Sequence, residues 1–236
     1  LNSLTECETA KILENSYRAI NIAFIDEWTK FSNLLKVDLL NIIKSIKVRP
    51  THSNMMNPGL GVGGYCLTKD PLFADISRRL FFSKKVSFPI IEKSISINKK
   101  MPLFALSFIK ENFKLNKKSK ILMLGLSYKE DIGDLRHSPS IKLLKSLLKL
   151  NKNIKISDPL CKFNISKYDN FEIKDNLKKF DLILLCVKHK QYRSLNANLF
   201  SKKTVIMDLN NVLDKNQIRS FKNKKFKFHI LGNNAT

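Results

Sequence analysis

The sequence predicts an α/β protein, with an all-helical first half and a second half built on a parallel sheet. Three observations carry this. Apolar residues in the first 48 positions recur at three- and four-residue steps, and no Pro or Gly interrupts them before Pro50. Beyond Asn116 the period changes to short apolar runs closed by polar or glycine turns. Those runs alternate with helix-length segments, as right-handed βαβ units do.

Taken in order, the first helix is marked by Ala10, Leu13, Tyr17, Ile20, Phe24 and Trp28, and Thr5 with Glu8 fits a capping box at its start. A second helix follows over about 38–47. From Arg49 to Tyr65 the chain turns to Pro, Asn and Gly, and four of its seven glycines (Gly59, Gly61, Gly63, Gly64) fall within six residues. Helical periodicity resumes after Asp70 and again over about 88–113. Residues 116–118 read as a linker, which divides the chain into a helical domain at 1–116 and an α/β domain at 117–236. In the second domain, strands fit 120–125, 154–157, 181–187, 204–208 and 226–231. A helix fits 138–150, with Pro139 in its first turn.

Composition narrows the class. The 236 residues are 43% hydrophobic and 27% charged, which is globular and neither disordered nor collagenous. No apolar run reaches the ~18 to 20 residues of a spanning helix, and no basic-then-apolar leader opens the chain. The four Cys (Cys7, Cys66, Cys161, Cys186) make neither a disulfide framework nor a zinc pattern, so a reduced, cytoplasmic, metal-free protein is expected. The net charge of +23 suggests nucleic acid at first. Only seven of the 43 basic residues are Arg, however, and the lysines are scattered. Base and phosphate readout favours Arg forks, so this composition speaks against a nucleic-acid reader.

Two stretches carry chemistry. In the loop, Gly61, Gly63 and Gly64 lack a Cβ and allow close backbone approach to a ligand. Cys66 follows at the expected start of a helix, where the helix N-terminus and nearby Lys69 favour thiolate, and Asp70 comes one turn later. On the first helix, Lys11 and Asn15 are four apart and share a face; from spacing alone they read as two solvated residues.

Three motifs then carry a resemblance. The run from Glu8 to Arg18, the loop from Gly59 to Asp70, and the stretch from Leu124 to Pro139 are together similar to the UDP-glucose/GDP-mannose dehydrogenase family, in the family's order and over nearly the whole chain. The resemblance covers the central and C-terminal domains and lacks the family's N-terminal NAD-binding domain. It implies a helical dimerisation domain followed by a Rossmann-like UDP-binding domain. The implied reaction oxidises the C6 alcohol of a UDP-sugar to the uronic acid with NAD. By the same resemblance, Cys66 is the nucleophile, Asp70 helps activate water, and Lys11 with Asn15 holds that water and stabilises oxyanions. Arg136 and Lys69 reach the cofactor phosphates. Tyr128 and Lys129 contact the nucleotide-sugar together with Gly61, Gly63 and Gly64, and His52 is a further sugar-contact candidate. The resemblance also implies a homodimer through the central helices, including the long helix at the domain junction.

The sequence departs from the family in one place: Asp208-Leu-Asn210 stands where a D-x-R run would supply an arginine to the sugar. Gly125-Leu-Ser-Tyr-Lys129 is no G-x-G-x-x-G fingerprint, so a nucleotide-sugar pocket at the strand ends is expected there rather than a dinucleotide site. Within the resemblance, Lys69 matches members acting on UDP-glucose and GDP-mannose, whereas Tyr17-Arg18, Asn21 to Ala23 and Pro71 match those acting on UDP-N-acetylhexosamines, which are slightly favoured over UDP-glucose. A non-catalytic UDP-sugar-binding remnant is the alternative.

Overall fold

A computed structural model describes residues 1–82, 86–173 and 176–233. The chain opens with α1 (Leu4–Leu35), a 32-residue helix. Its cap is Ser3, whose side chain accepts from the Glu6 N–H, so Thr5 lies inside the helix and the expected Thr5–Glu8 box does not form the start. The apolar stripe that identifies α1 is also not its packed face. Leu13, Tyr17, Phe24 and Trp28 are exposed, while Asn15, Ser16, Ala19, Ala23 and Thr29 are buried against the rest of the fold. Small and polar residues, with Ile25, make the packed face and let the backbone approach its neighbours closely, and the aromatic side chains are left outside.

Next come α2 (Leu39–Ile46, capped by Asp38), a single turn α3 (Cys66–Lys69), α4 (Phe73–Phe81) and α5 (Pro89–Asn112). Pro89 opens α5 where its missing N–H costs nothing. The helix joins the two halves. Its Asn98 side chain donates to the Ala19 carbonyl of α1 at 3.0 Å, and its Met101, Ala105, Phe108 and Ile109 are buried in the core beneath the sheet.

The second half comprises β1 (Ile121–Leu124), α6 (Pro139–Leu148), β2 (Ile154–Ser157), β3 (Leu182–Leu185), β4 (Val205–Asp208), α7 (Lys215–Asn223) and β5 (Phe228–Ile230). All five strands are parallel, in the order β2-β1-β3-β4-β5. Each expected strand is present. Alternate residues face opposite ways: Ile121, Met123, Leu184 and Met207 pack under α5 and α6, while Leu122, Leu124, Ile183 and Ile206 pack with Tyr192 and Phe221. The inner strands β1 and β3 are therefore buried on both faces, which explains their unbroken apolar spelling. Strand order reverses between β1 and β3, and a crevice opens at the carboxyl ends of those strands, where ligands of open α/β sheets bind.

The halves are stitched through the glycine loop and the chain's end. Asn211 donates to the Pro58 carbonyl at 2.7 Å, Leu39 N–H to the Gly232 carbonyl at 2.9 Å, and Asn233 to the Asp38 carboxylate at 2.9 Å.

Candidate functional site

The loop before Cys66 is held by backbone contacts that a side chain would block. Gly61 and Gly64 have φ of +106° and +75°, a region that favours glycine. A Cβ on Gly61 would lie 2.6 Å from the Asn98 carbonyl oxygen, one on Gly63 2.7 Å from the Tyr128 Cβ, and one on Gly64 2.7 Å from the Tyr128 ring. The Gly64 N–H donates to the Arg136 carbonyl at 3.0 Å. The close approach read from the sequence is thus made in large part to the second domain's own Tyr128–His137 stretch. Immediately after these contacts α3 begins, with the Thr68 hydroxyl donating back to the Gly64 carbonyl at 2.7 Å. Cys66, at the first position of that turn, is exposed, whereas Cys161 and Cys186 are buried and their thiols pushed up by burial, Cys161 to about 12.

Asn15 and Asp70 meet directly. The buried Asn15 amide donates to Asp70 Oδ2 at 3.0 Å, tying α1 to the turn that follows Cys66. Lys11, one helical turn earlier, points outward and pairs with Glu14 at 3.3 Å. His52 lies in the exposed Pro50–His52 turn with its Nδ1 bonded to Thr51 at 2.9 Å; among the described residues no hydrogen bond joins it to the glycine loop.

The two expected cofactor contacts converge on one ring. Lys69 Nζ is 5.6 Å and the Arg136 guanidinium 4.7 Å from the centre of the Tyr65 ring, next to Cys66. Arg136 also binds Asp134 through Nε at 2.8 Å and Nη2 at 2.6 Å, which holds the Asp134 carboxyl below its ordinary value. Arg136 borders an open cleft of about 890 Å³ rimmed by Lys99, Lys142, Lys145 and Lys167, a strongly positive surface.

At the strand ends, Tyr128 and Lys129 line a separate cleft of about 360 Å³ with Asn57, Pro58, Lys188 and Asn210. This is the crevice between β1, β3 and β4 and the glycine loop. Asn210 is turned back into the protein: its amide donates to the Cys186 carbonyl at 3.0 Å, and its Oδ1 lies 2.5 Å from where a Gly59 Cβ would be.

Sequence reasoning missed one buried polar group beside this crevice, formed by Ser127, Asp158 and His189. Each follows a strand's carboxyl end, which is the signal that could have found them; they lie 31 and 62 residues apart, so no local motif joins them. Burial pushes the Asp158 carboxyl up, but hydrogen bonds from His189 and from the Ser127, Leu126 and Leu160 N–H groups outweigh it and hold the carboxyl well below its ordinary value. Among the described residues no cluster of His, Cys, Asp and Glu could hold a metal, and no helix is long and apolar enough to cross a membrane.

Comparison with known proteins finds matches for both halves of the chain. Residues 5–100 match the central domain of the UDP-glucose/GDP-mannose dehydrogenase family, and residues 122–215 match its UDP binding domain. A UDP-N-acetyl-D-mannosamine dehydrogenase of Methanococcus vannielii is 31% identical over 97% of this chain and 52% of its own length. An NDP-N-acetyl-D-galactosaminuronic acid dehydrogenase of Ralstonia solanacearum is 28% identical over 84% of this chain and 46% of its own. The solved UDP-N-acetyl-mannosamine dehydrogenase of S. aureus superposes with a TM-score of 0.75 at 27% identity, covering 96% of this chain and 51% of that one. The chain spans about half the length of the curated relatives it matches.

Proposed function

We propose a function on one premise: this chain belongs to the UDP-glucose/GDP-mannose dehydrogenase family, of which it supplies the central and UDP-binding domains. Because it spans about half its relatives, the full reaction is assigned to a protein that also carries a dinucleotide-binding domain. In that protein, the chain binds a UDP-N-acetylhexosamine and presents Cys66 to C6 of the sugar. The relatives that act on UDP-N-acetyl-D-mannosamine support this choice of sugar over UDP-glucose.

The chemistry falls to few groups. NAD, when bound, accepts the hydride in each of two oxidations. The C6 alcohol gives up a hydride and a proton to become an aldehyde. The Cys66 thiolate then adds to C6, forming a C–S bond and an oxyanion whose stabilisation we assign to the Asn15 amide; Lys11, paired outward with Glu14, joins it only by turning inward. Loss of a second hydride leaves a thioester. Water, steered by the Asp70 carboxylate, attacks it; the C–S bond breaks, and the acid and free thiol are released. The chain's fit to NAD is limited to the phosphates. Two cations, Lys69 and Arg136, lie against the Tyr65 ring beside a lysine-rimmed cleft. The one G-x-G-x-x-G spelling, Gly59 to Gly64, follows no strand and leads only into the single turn α3, so it is not a dinucleotide turn. A positive field of this size also draws in an anionic substrate.

The observation that carries the reading is the Asn15–Asp70 hydrogen bond, which joins a helix and a glycine loop one turn from an exposed cysteine. Its test is the chain expressed with a family dinucleotide-binding half, followed by NADH production on UDP-N-acetylmannosamine and UDP-glucose. Cys66→Ser should lose acid formation by more than about a hundredfold. Acid formed at the parent rate would remove Cys66 from the mechanism. Asn210 favours a second reading, a domain that binds UDP-sugar without oxidising it, since no arginine reaches the crevice from that position. That reading predicts UDP-sugar binding with no NADH from the joined protein. In either case we assign a homodimer through the central helices and a cytoplasmic site of action.

A further inference from the structure

We propose that His189 is a positioning residue for the loop carrying Tyr128 and Lys129, and that it acts through the lone pair of its Nδ1. The inference rests on the reading of that loop as a UDP-sugar contact. The loop leaves the end of β1 and is gripped on both sides of the two contact residues. Upstream, the Asp158 carboxylate at the end of β2 accepts from Leu126 N–H at 2.7 Å and Ser127 N–H at 2.9 Å. Downstream, the Asp131 N–H donates to His189 Nδ1 at 3.0 Å. The imidazole, just beyond β3, is fully buried, and the Asp131 backbone is left-handed at φ +55°. Asp tolerates this region better than most residues, and here the hydrogen bond to His189 and the Lys190 N–H on its carboxylate fix it there.

The bond to Nδ1 fixes the tautomer. Because Nδ1 accepts, the ring proton resides on Nε2, which faces the Ser127 hydroxyl at 2.8 Å and Asp158 Oδ2 at 3.3 Å. Asp158 is in turn saturated by the backbone N–H groups of Leu160 and Cys161 on its other oxygen. The Asp131 carboxylate closes the arrangement by accepting the Lys190 N–H at 2.9 Å. Three strand ends thereby converge on one imidazole, and the three residues between the grips, Tyr128, Lys129 and Glu130, all line the crevice. The Tyr128 ring also underlies Gly64, so the position of this loop reaches the turn that bears Cys66.

Two variants separate positioning from packing. In His189→Asn the side-chain oxygen falls near the Nδ1 position and can still accept from Asp131 N–H. In His189→Gln the side chain fills more of the imidazole's volume but carries its polar end where Nε2 was. UDP affinity of this chain, measured by calorimetry, is expected to stay within about threefold for Asn and to fall about tenfold for Gln, the value of one lost hydrogen bond. Amide exchange should show Asp131 protected in the parent and in the Asn variant but not in the Gln variant. Equal loss in both variants, or a Gln variant that binds better than Asn, overturns the proposal. Should neither variant fold, the unmodified chain still decides. The imidazole ¹⁵N spectrum must show a bare Nδ1 with the Asp131 amide protected, and a proton on Nδ1 or free exchange at Asp131 overturns it. If the parent itself fails to bind UDP, the functional reading is what has failed, and the exchange and ¹⁵N results still judge the anchor.

Discussion

Asp26 is the least comfortable side chain in the helical half. It sits on the packed face of α1, is 1% exposed, and its Oδ2 has no hydrogen-bond partner. Burial pushes its carboxyl from 3.8 up to about 8, against a smaller downward pull from Lys30. A carboxyl raised in the folded state holds its proton where the unfolded chain has lost it. The Asp26 contribution to stability is therefore fully present below about pH 4 and is lost progressively as pH rises toward 8. Asp26→Asn removes the titration at nearly constant volume. It should match the parent near pH 4 and exceed it by a few kcal/mol at pH 8.5. Denaturation midpoints at both pH values check this, and a difference that does not grow with pH would sink it. Nothing in the local sequence announced Asp26, because its cost comes from where the α1 face is packed. By contrast, Cys66 was legible: a cysteine after four glycines and before Lys69-Asp70 stands apart from the buried Cys161 and Cys186.

At the scale of elements, the central strands β1 and β3 were the most legible, because burial on both faces leaves them apolar from end to end. Helix α7 was not. Its sequence is mostly polar, and it is held by an Asp214–Gln217 capping box and by Gln217 donating to the Tyr192 and Leu195 carbonyls, contacts about 22 to 25 residues distant. The glycine loop lies between these cases. Its demand for close approach was readable, but the approaching groups were not, since Tyr128 and His137 are far along the chain. The contacts rank the glycines. Gly64→Ala combines a positive φ with a rigid ring at 2.7 Å and should cost about 2 kcal/mol or more. Gly59→Ala meets only the end of the Asn210 side chain, so it should cost less and be relieved by Asn210→Ala. Urea denaturation of the three variants tests the ranking. Equal losses for Gly59→Ala and Gly64→Ala, or no relief in the double variant, would show that the loop is not packed as described.

For the whole molecule, the decisive feature is the outer face of α1. Tyr17, Phe24, Trp28 and Phe31 are all about half exposed, and Trp28 makes edge-on contacts with Phe24 at 6.2 Å and Phe31 at 5.7 Å. The spacing of seven, four and three residues keeps them on one side of the helix. The sequence showed this stripe but could not say which way it faced, because periodicity identifies an amphipathic helix and not what covers it. The long junction helix α5 is the other candidate for the interface. Much of its apolar surface is spent on the sheet core, so the homodimer proposed above is assigned to the α1 face. A twofold axis would set each Trp28 against its twin's stripe, so that one substitution acts twice. With about 2 kcal/mol for each buried Trp, Trp28→Glu should weaken the dimer about a thousandfold while leaving helical content unchanged. Sedimentation of parent and variant reads this directly. The charge adds a second handle on the same equilibrium: two copies at +23 repel one another, and salt screens that repulsion over about 10 Å at 0.1 M. Added salt should therefore tighten the parent dimer, as an apolar contact between like-charged partners requires. A parent that is monomeric at high micromolar concentration in salt, or a dimer that salt dissociates, would place the interface elsewhere.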